Sequence, residues 1–178
     1  TDYAVMTPTD NGGLTGTNVT LNLLGVDVTI GAPTDITFPA VTANVTVVPT
    51  EVTLGGADYF WLDDLLGENG GYNTTVQMAD LTTSGSGTIA LANVAIQIPA
   101  PSVTLMAGSA NSRVLYSPVL NTGYQAFDSA LALTFVYRSN ANNSGLVGQY
   151  GLLPKLRINV PAFQTLGAYS GVLTYTLM

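Results

Sequence analysis

Trp61-Leu62-Asp63-Asp64-Leu65-Leu66-Gly67-Glu68-Asn69-Gly70-Gly71-Tyr72, running on into Asn73-Thr74-Thr75-Val76-Gln77-Met78-Ala79-Asp80-Leu81-Thr82-Thr83, carries the densest signals in this chain. It holds the single Trp, the tightest acidic cluster and a Gly-Gly break, and then passes into an alternating run. Ala57 to Leu62 is apolar and aromatic and reads as a strand. Asp63 to Gly71 reads as an acidic loop. Tyr72 to Leu81 alternates again, as a second strand that sends an aromatic into the core. A period of two marks a strand with one buried face.

The same period recurs on both sides. Val19, Leu21 and Leu23 alternate with Asn18, Thr20 and Asn22, and Val26, Val28 and Ile30 follow. Ile36 to Pro39 and Ala40 to Val48 read as further strands, with Pro39 and Pro49 limiting each to an edge or an end. Glu51 to Leu54, Thr88 to Ile98, Val103 to Leu105, Val114 to Tyr116, Leu131 to Tyr137, Lys155 to Val160 and Tyr169 to Met178 read as strands too. Gln125 to Ser129 reads as one helical turn. No long amphipathic helix and no internal repeat is visible. About ten short strands separated by Gly, Pro and Asn turns imply an all-β fold, an antiparallel β-sandwich of Ig-like Greek-key or jelly-roll type. Residues 1–16 read as a short N-terminal arm and 17–178 as one sandwich domain. A chain of 178 residues, 47% hydrophobic, can build such a core without staples.

Composition excludes several classes of function. Only 8% of residues are charged, and the net charge is −7 with four cations, Arg113, Arg138, Lys155 and Arg157. Nucleic acid needs a basic patch, and an anionic membrane surface needs one as well. No apolar run is long enough to span a bilayer as a helix. There is no Cys and no His, so disulfides, thiolate nucleophiles and the usual neutral-pH base are all missing. A surface so poor in charge fits a chain partly covered in an assembly. The chain begins without Met and without a basic-plus-apolar leader, as expected of an exported protein after signal-peptide removal. Four Asn-x-Ser/Thr sequons, at Asn18, Asn44, Asn73 and Asn142, fit an extracellular or cell-surface location and are candidate glycosylation sites.

Leu62-x-Asp64-x-x-Gly67-x-x-Gly70-Gly71-Tyr72, followed by Thr75-Val76-Gln77-x-x-Asp80-Leu81-Thr82, resembles the first motif of the WxL-type surface domains of bacteria. Gly167-Ala168-Tyr169-Ser170-Gly171-Val172-Leu173-Thr174-Tyr175-Thr176-Leu177 resembles their second motif, and Ile36-Thr37-Phe38-Pro39-Ala40-Val41 their opening strand. The likeness covers roughly residues 22–178. Tyr72 and Tyr175 stand where that family has Trp, and Thr74 stands where it has Leu. The resemblance implies a secreted β-sandwich and a module that grips wall polysaccharide or a surface protein. In style, though without a motif, the chain is also similar to subunits of donor-strand-assembled extracellular filaments.

Candidate sites follow from residue type. Asp58, Asp63, Asp64 and Glu68 are hard oxygen ligands close enough in sequence to hold Ca²⁺, although the spacing is not that of an EF-hand. The bland reading is a solvated acidic loop. Asp63 and Asp64 are adjacent and point apart if extended, which argues against a glycosidase pair. Tyr59, Phe60, Trp61 and Tyr72 suit either a core or a sugar-stacking surface, and the core is the commoner use. Tyr3, Val5 and Leu14 are candidate anchors of an arm that adds to a neighbour's sheet. The expectation is a non-enzymatic structural subunit without a cofactor, which associates with itself to form a filament or surface assembly. The other reading is a surface module whose partner is cell-wall glycan.

Overall fold

Residues 60 to 64 fold as their alternation predicts. Phe60, Leu62 and Asp64 are buried, while Trp61 and Asp63 are half-buried on the opposite face. The computed structural model describes residues 3–6, 19–22, 28–33, 35–42, 44–54, 59–66, 70–99, 103–108, 114–139 and 147–178. In chain order the strands are β1 (Tyr3–Met6), β2 (Val19–Asn22), β3 (Val28–Gly31), β4 (Val48–Thr53), β5 (Phe60–Asp64), β6 (Tyr72–Met78), β7 (Leu81–Thr82) and β8 (Thr88–Ile89). They continue as β9 (Val94–Gln97), β10 (Val103–Gly108), β11 (Val114–Tyr116), β12 (Gln125–Ala126), β13 (Leu133–Arg138), β14 (Gly148–Leu152), β15 (Lys155–Val160) and β16 (Leu173–Leu177). One short helix, α1, spans Pro118–Thr122.

The protein is an all-β sandwich of antiparallel sheets. Three sheets have four strands each, in the orders β10-β14-β5-β3, β11-β13-β6-β16 and β12-β9-β15-β4. The first and third are joined end to end by one long ribbon. Val48↔Val160 to Thr53↔Lys155 form one stretch of ladder, the amide of Leu54 donates to the Pro154 carbonyl, and Phe60↔Leu152 to Asp64↔Gly148 form the next. Across from β5 lies the sheet β11-β13-β6-β16. Phe60 meets Phe135 edge-on with ring centroids 5.7 Å apart, and Tyr175 completes the cluster at 4.4 Å from Phe60 and 5.3 Å from Phe135. Such aromatic groups contribute packing beyond their buried area. Val94, Ile96, Leu156 and Ile158 bring the third sheet into the same core.

Several elements depart from the expectations. Ile36 and Phe38 pack against the core with Thr37 exposed between them, yet no ladder forms over 35–42 and the strand begins only at Val48. Pro33 and Pro39 have no N–H to give a ladder. Thr88 to Ile98 is broken by a 3-10 turn at Leu91–Asn93, where Asp80 accepts the amide of Leu91 at 2.8 Å. The helical turn expected at 125–129 stands instead at 118–122, behind Pro118, while Gln125–Ala126 pairs with β9. The β14 strand, which runs between β10 and β5, carries two glycines and gave no strand signal. Asp63 and Asp64 belong to β5 rather than to the acidic loop.

A bulge interrupts β13. Thr134 faces Thr75 and Tyr137 faces Asn73, so Phe135 and Val136 together oppose Thr74. The buried Thr74 hydroxyl donates to the Val136 carbonyl at 2.8 Å and accepts from the Val136 amide at 2.9 Å. One side chain thus satisfies both backbone groups that the bulge removes from the ladder.

Candidate functional site

The acidic stretch is divided between the two faces of β5. Asp64 points inward, and its Oδ1 accepts from Arg138 Nη1 at 2.6 Å with both side chains fully buried. The Leu66 amide also reaches Oδ1, at 3.3 Å. Arg138 sits opposite Tyr72 in the ladder, so the ion pair ties β5 to β13 across the sandwich. Burial pushes the Tyr72 hydroxyl far above its usual pKa. The nearby Asp64 carboxylate adds to that rise and Arg138 opposes it. These groups have no opening to a substrate, so they act as a fastener between layers. Asp63 points outward and accepts from Gln149 Nε2 at 2.8 Å. Asp58 and Glu68 lie outside the described residues, and among the described residues no three metal-ligating side chains converge.

The aromatic run is divided the same way. Phe60 and Tyr72 are core residues, whereas Trp61 and Tyr59 are half-buried, with Trp61 on the outer face of β5. Tyr3 pairs with Asn22 and Val5 with Thr20, so β1 and β2 form a two-stranded sheet, and among the described residues no ladder joins it to the other sheets. Leu14 lies outside the described residues. Of the sequons, Asn44 is exposed. Asn73 is half-buried in β6 with its Oδ1 enclosed, a poor place for a glycan. Asn18 and Asn142 lie outside the described residues. No helix among the described residues is long and apolar enough to cross a membrane.

One opening among the described residues gave little signal in the sequence. A cleft of about 810 Å³ enters the sandwich where two sheets end, in edge strand β4 on one side and edge strand β16 on the other. Its floor is core: Phe60, Val94, Leu156 and Ile158. Its walls are the unpaired run 35–41 and the segment 164–173. Ile36 and Phe38 fill part of the gap without hydrogen-bonding either edge. The rim is apolar and open to solvent, with Leu166 79% exposed and Val172 68% exposed. Next to it stand Phe163, 80% exposed, and Val45 and Val47, also exposed. Phe163 holds a left-handed backbone, φ 58°, while its amide donates to the Asn44 carbonyl at 2.9 Å. A bulky residue in that region costs energy unless its surroundings require it. The prior signal in the sequence was the pair Pro33 and Pro39, which have no N–H to give a ladder.

This geometry supports docking of an extended apolar segment. In comparisons with known proteins, no family model matches the chain and no curated protein matches it.

Proposed function

We propose that the chain is a structural subunit of an extracellular filament or surface assembly and associates with itself by β-strand addition at this cleft. The observation that carries the reading is the cleft's placement between two edge strands. An edge strand presents a row of unpaired N–H and C=O groups that can template a further strand. Here two such edges flank an apolar floor, so an added strand gains ladder bonds and buries alternate side chains together. The exposed rim of Phe163, Leu166 and Val172 is an apolar patch of the kind that marks an interaction surface.

The donor in this reading is the arm, residues 1–16, with Tyr3, Val5 and Leu14 as the side chains that enter the cleft. Its strand β1 would exchange its pairing with β2 for the edge of a neighbouring subunit. A donor of five residues spans roughly 17 Å, the length of β16. The contact is head-to-tail, which propagates into a filament wherever the rotation between neighbours does not close a ring. The two stretches that carry the WxL-like resemblance are hydrogen-bonded neighbours, β6 and β16, and β16 is one of the two edges in question.

The test compares the full chain, a version lacking residues 1–14, and Leu166→Glu, by negative-stain microscopy and size-exclusion chromatography. Filaments from the full chain alone, with folded monomers from the other two, are the expected result. Monodisperse monomers from the full chain at high concentration would sink the proposal.

A further inference from the structure

The outer face of β5 carries a second, separate arrangement. At one level of the ladder Trp61 stands between Gly31 on β3 and Gly151 on β14. Two residues further along, at the next outward-facing level, Asp63 stands between Thr29 and Gln149. The indole lies across Gly31, where a side chain would collide with its Cε2, Nε1 and Cζ2. Trp61 is therefore held against backbone on one side and remains half-exposed. Tyr59 and Met106 approach Gly151 on its other flank, at 3.4 and 3.0 Å from where a side chain would begin. Asp63, oriented by Gln149 Nε2 at 2.8 Å, retains free acceptor capacity as a carboxylate.

We propose that this face is a stacking platform for a neutral glycan built of pyranose rings with equatorial hydroxyls. Such a ring has an apolar C–H face that suits a flat indole and a rim of hydroxyls that suits Asp63 and Gln149. The two levels are about 6.6 Å apart, comparable with the width of one sugar ring. Gly31 backs the indole, and Met106 and Tyr59 close in on the Gly151 side, so a sugar ring stacks on the indole surface that these contacts leave exposed. An apolar strand or a second copy of the chain would strip water from the Asp63–Gln149 pair without replacing its bonds. A nucleobase could stack equally well, but its phosphates meet a chain of net charge −7, and the same charge disfavours acidic sugars. This site does not depend on self-association and lies on a different face from the edge-strand cleft.

Because Trp61 is the only Trp, intrinsic fluorescence reports on this site alone. The full chain is titrated with cellotriose, with N,N′,N″-triacetylchitotriose and with trigalacturonate. A saturable blue shift with at least one neutral trisaccharide and none with trigalacturonate is expected. Affinity electrophoresis through hydroxyethyl cellulose or glycol chitin then compares variants. Trp61→Ala and Asp63→Ala each weaken retention roughly tenfold, whereas Leu131→Gln, at an exposed residue outside both sites, leaves it unchanged. Should Trp61→Ala fold poorly, Asp63→Ala keeps the indole in place and carries the comparison. No shift with either neutral sugar, equal binding of trigalacturonate, or full retention of Asp63→Ala would overturn the assignment.

Discussion

Thr74 is polar and fully buried, and its two hydrogen bonds to Val136 explain why. Thr74→Val keeps the shape but leaves the Val136 amide and carbonyl unpaired in the core. Thr74→Val should lower unfolding free energy by about 1–3 kcal/mol, as read from the urea midpoint at constant slope. No loss would mean that the bulge does not need the hydroxyl. Leu at this position, as in the WxL-type motif, would lose both bonds and add bulk. Tyr175 makes the opposite case, since its hydroxyl is buried without a hydrogen-bond partner among the described residues, and the Tyr72 hydroxyl is buried beside the Asp64 carboxylate. Burial drives both well above the ordinary tyrosine value of 10.0. The folded state therefore keeps protons that the unfolded state releases above that pH, and stability must fall as pH rises past 10. Urea midpoints should be flat from pH 8 to about 10 and decline above it, with a shallower decline in Tyr175→Phe. Parallel curves for the two proteins would count against this account.

Among the elements, β5 is central: it pairs with β3 and β14 and its inner face meets the opposite sheet. Its inward residues are two apolar side chains and one carboxylate, and that carboxylate meets Arg138 on the facing sheet. Breaking such a pair leaves a charge stranded in the core, whereas removing both members does not. Arg138→Met should therefore cost about 3–5 kcal/mol, and Asp64→Leu with Arg138→Met much less than the sum of the single changes. A double-variant cycle in urea measures the difference, and simple additivity would show that the two side chains do not act as a unit. The run 35–42 is the complementary case. It has the alternation of a strand, but Pro33 and Pro39 withhold donors, so it covers the core without sealing it.

In the whole molecule, the aromatic cluster of Phe60, Phe135 and Tyr175 packs two of the sheets together, and the core stays open between β4 and β16, where Phe60 and Tyr175 reach the cleft. Exposed large apolar residues gather around that opening at Phe163, Leu166 and Val172. A surface with few charges does little to keep copies apart. If the cleft is where copies join, the full chain should polymerise while Leu166→Glu stays monomeric, with both showing the same circular dichroism. Polymerisation of Leu166→Glu to the same extent would place the contact elsewhere.

Sequence by itself determined the all-β fold, because a period of two survives in any context where one face is buried. Sequence placed Asp63 and Asp64 in a loop and held that they would point apart if extended, and the pairing of β5 with β3 and β14 supplied the extended backbone. Sequence did not reveal β14, whose glycines break the pattern, or the loss of the ladder over 35–42. Arg138 and Asp64 are 74 residues apart and pair only because β13 and β5 belong to facing sheets. The glycines beside Trp61 come from strands far away in the chain, and the cleft exists only where two sheets end together. Alternation is local and can be read from neighbours in the chain. Ion pairs, platforms and clefts are long-range contacts, and only the register and stacking of the sheets decide them.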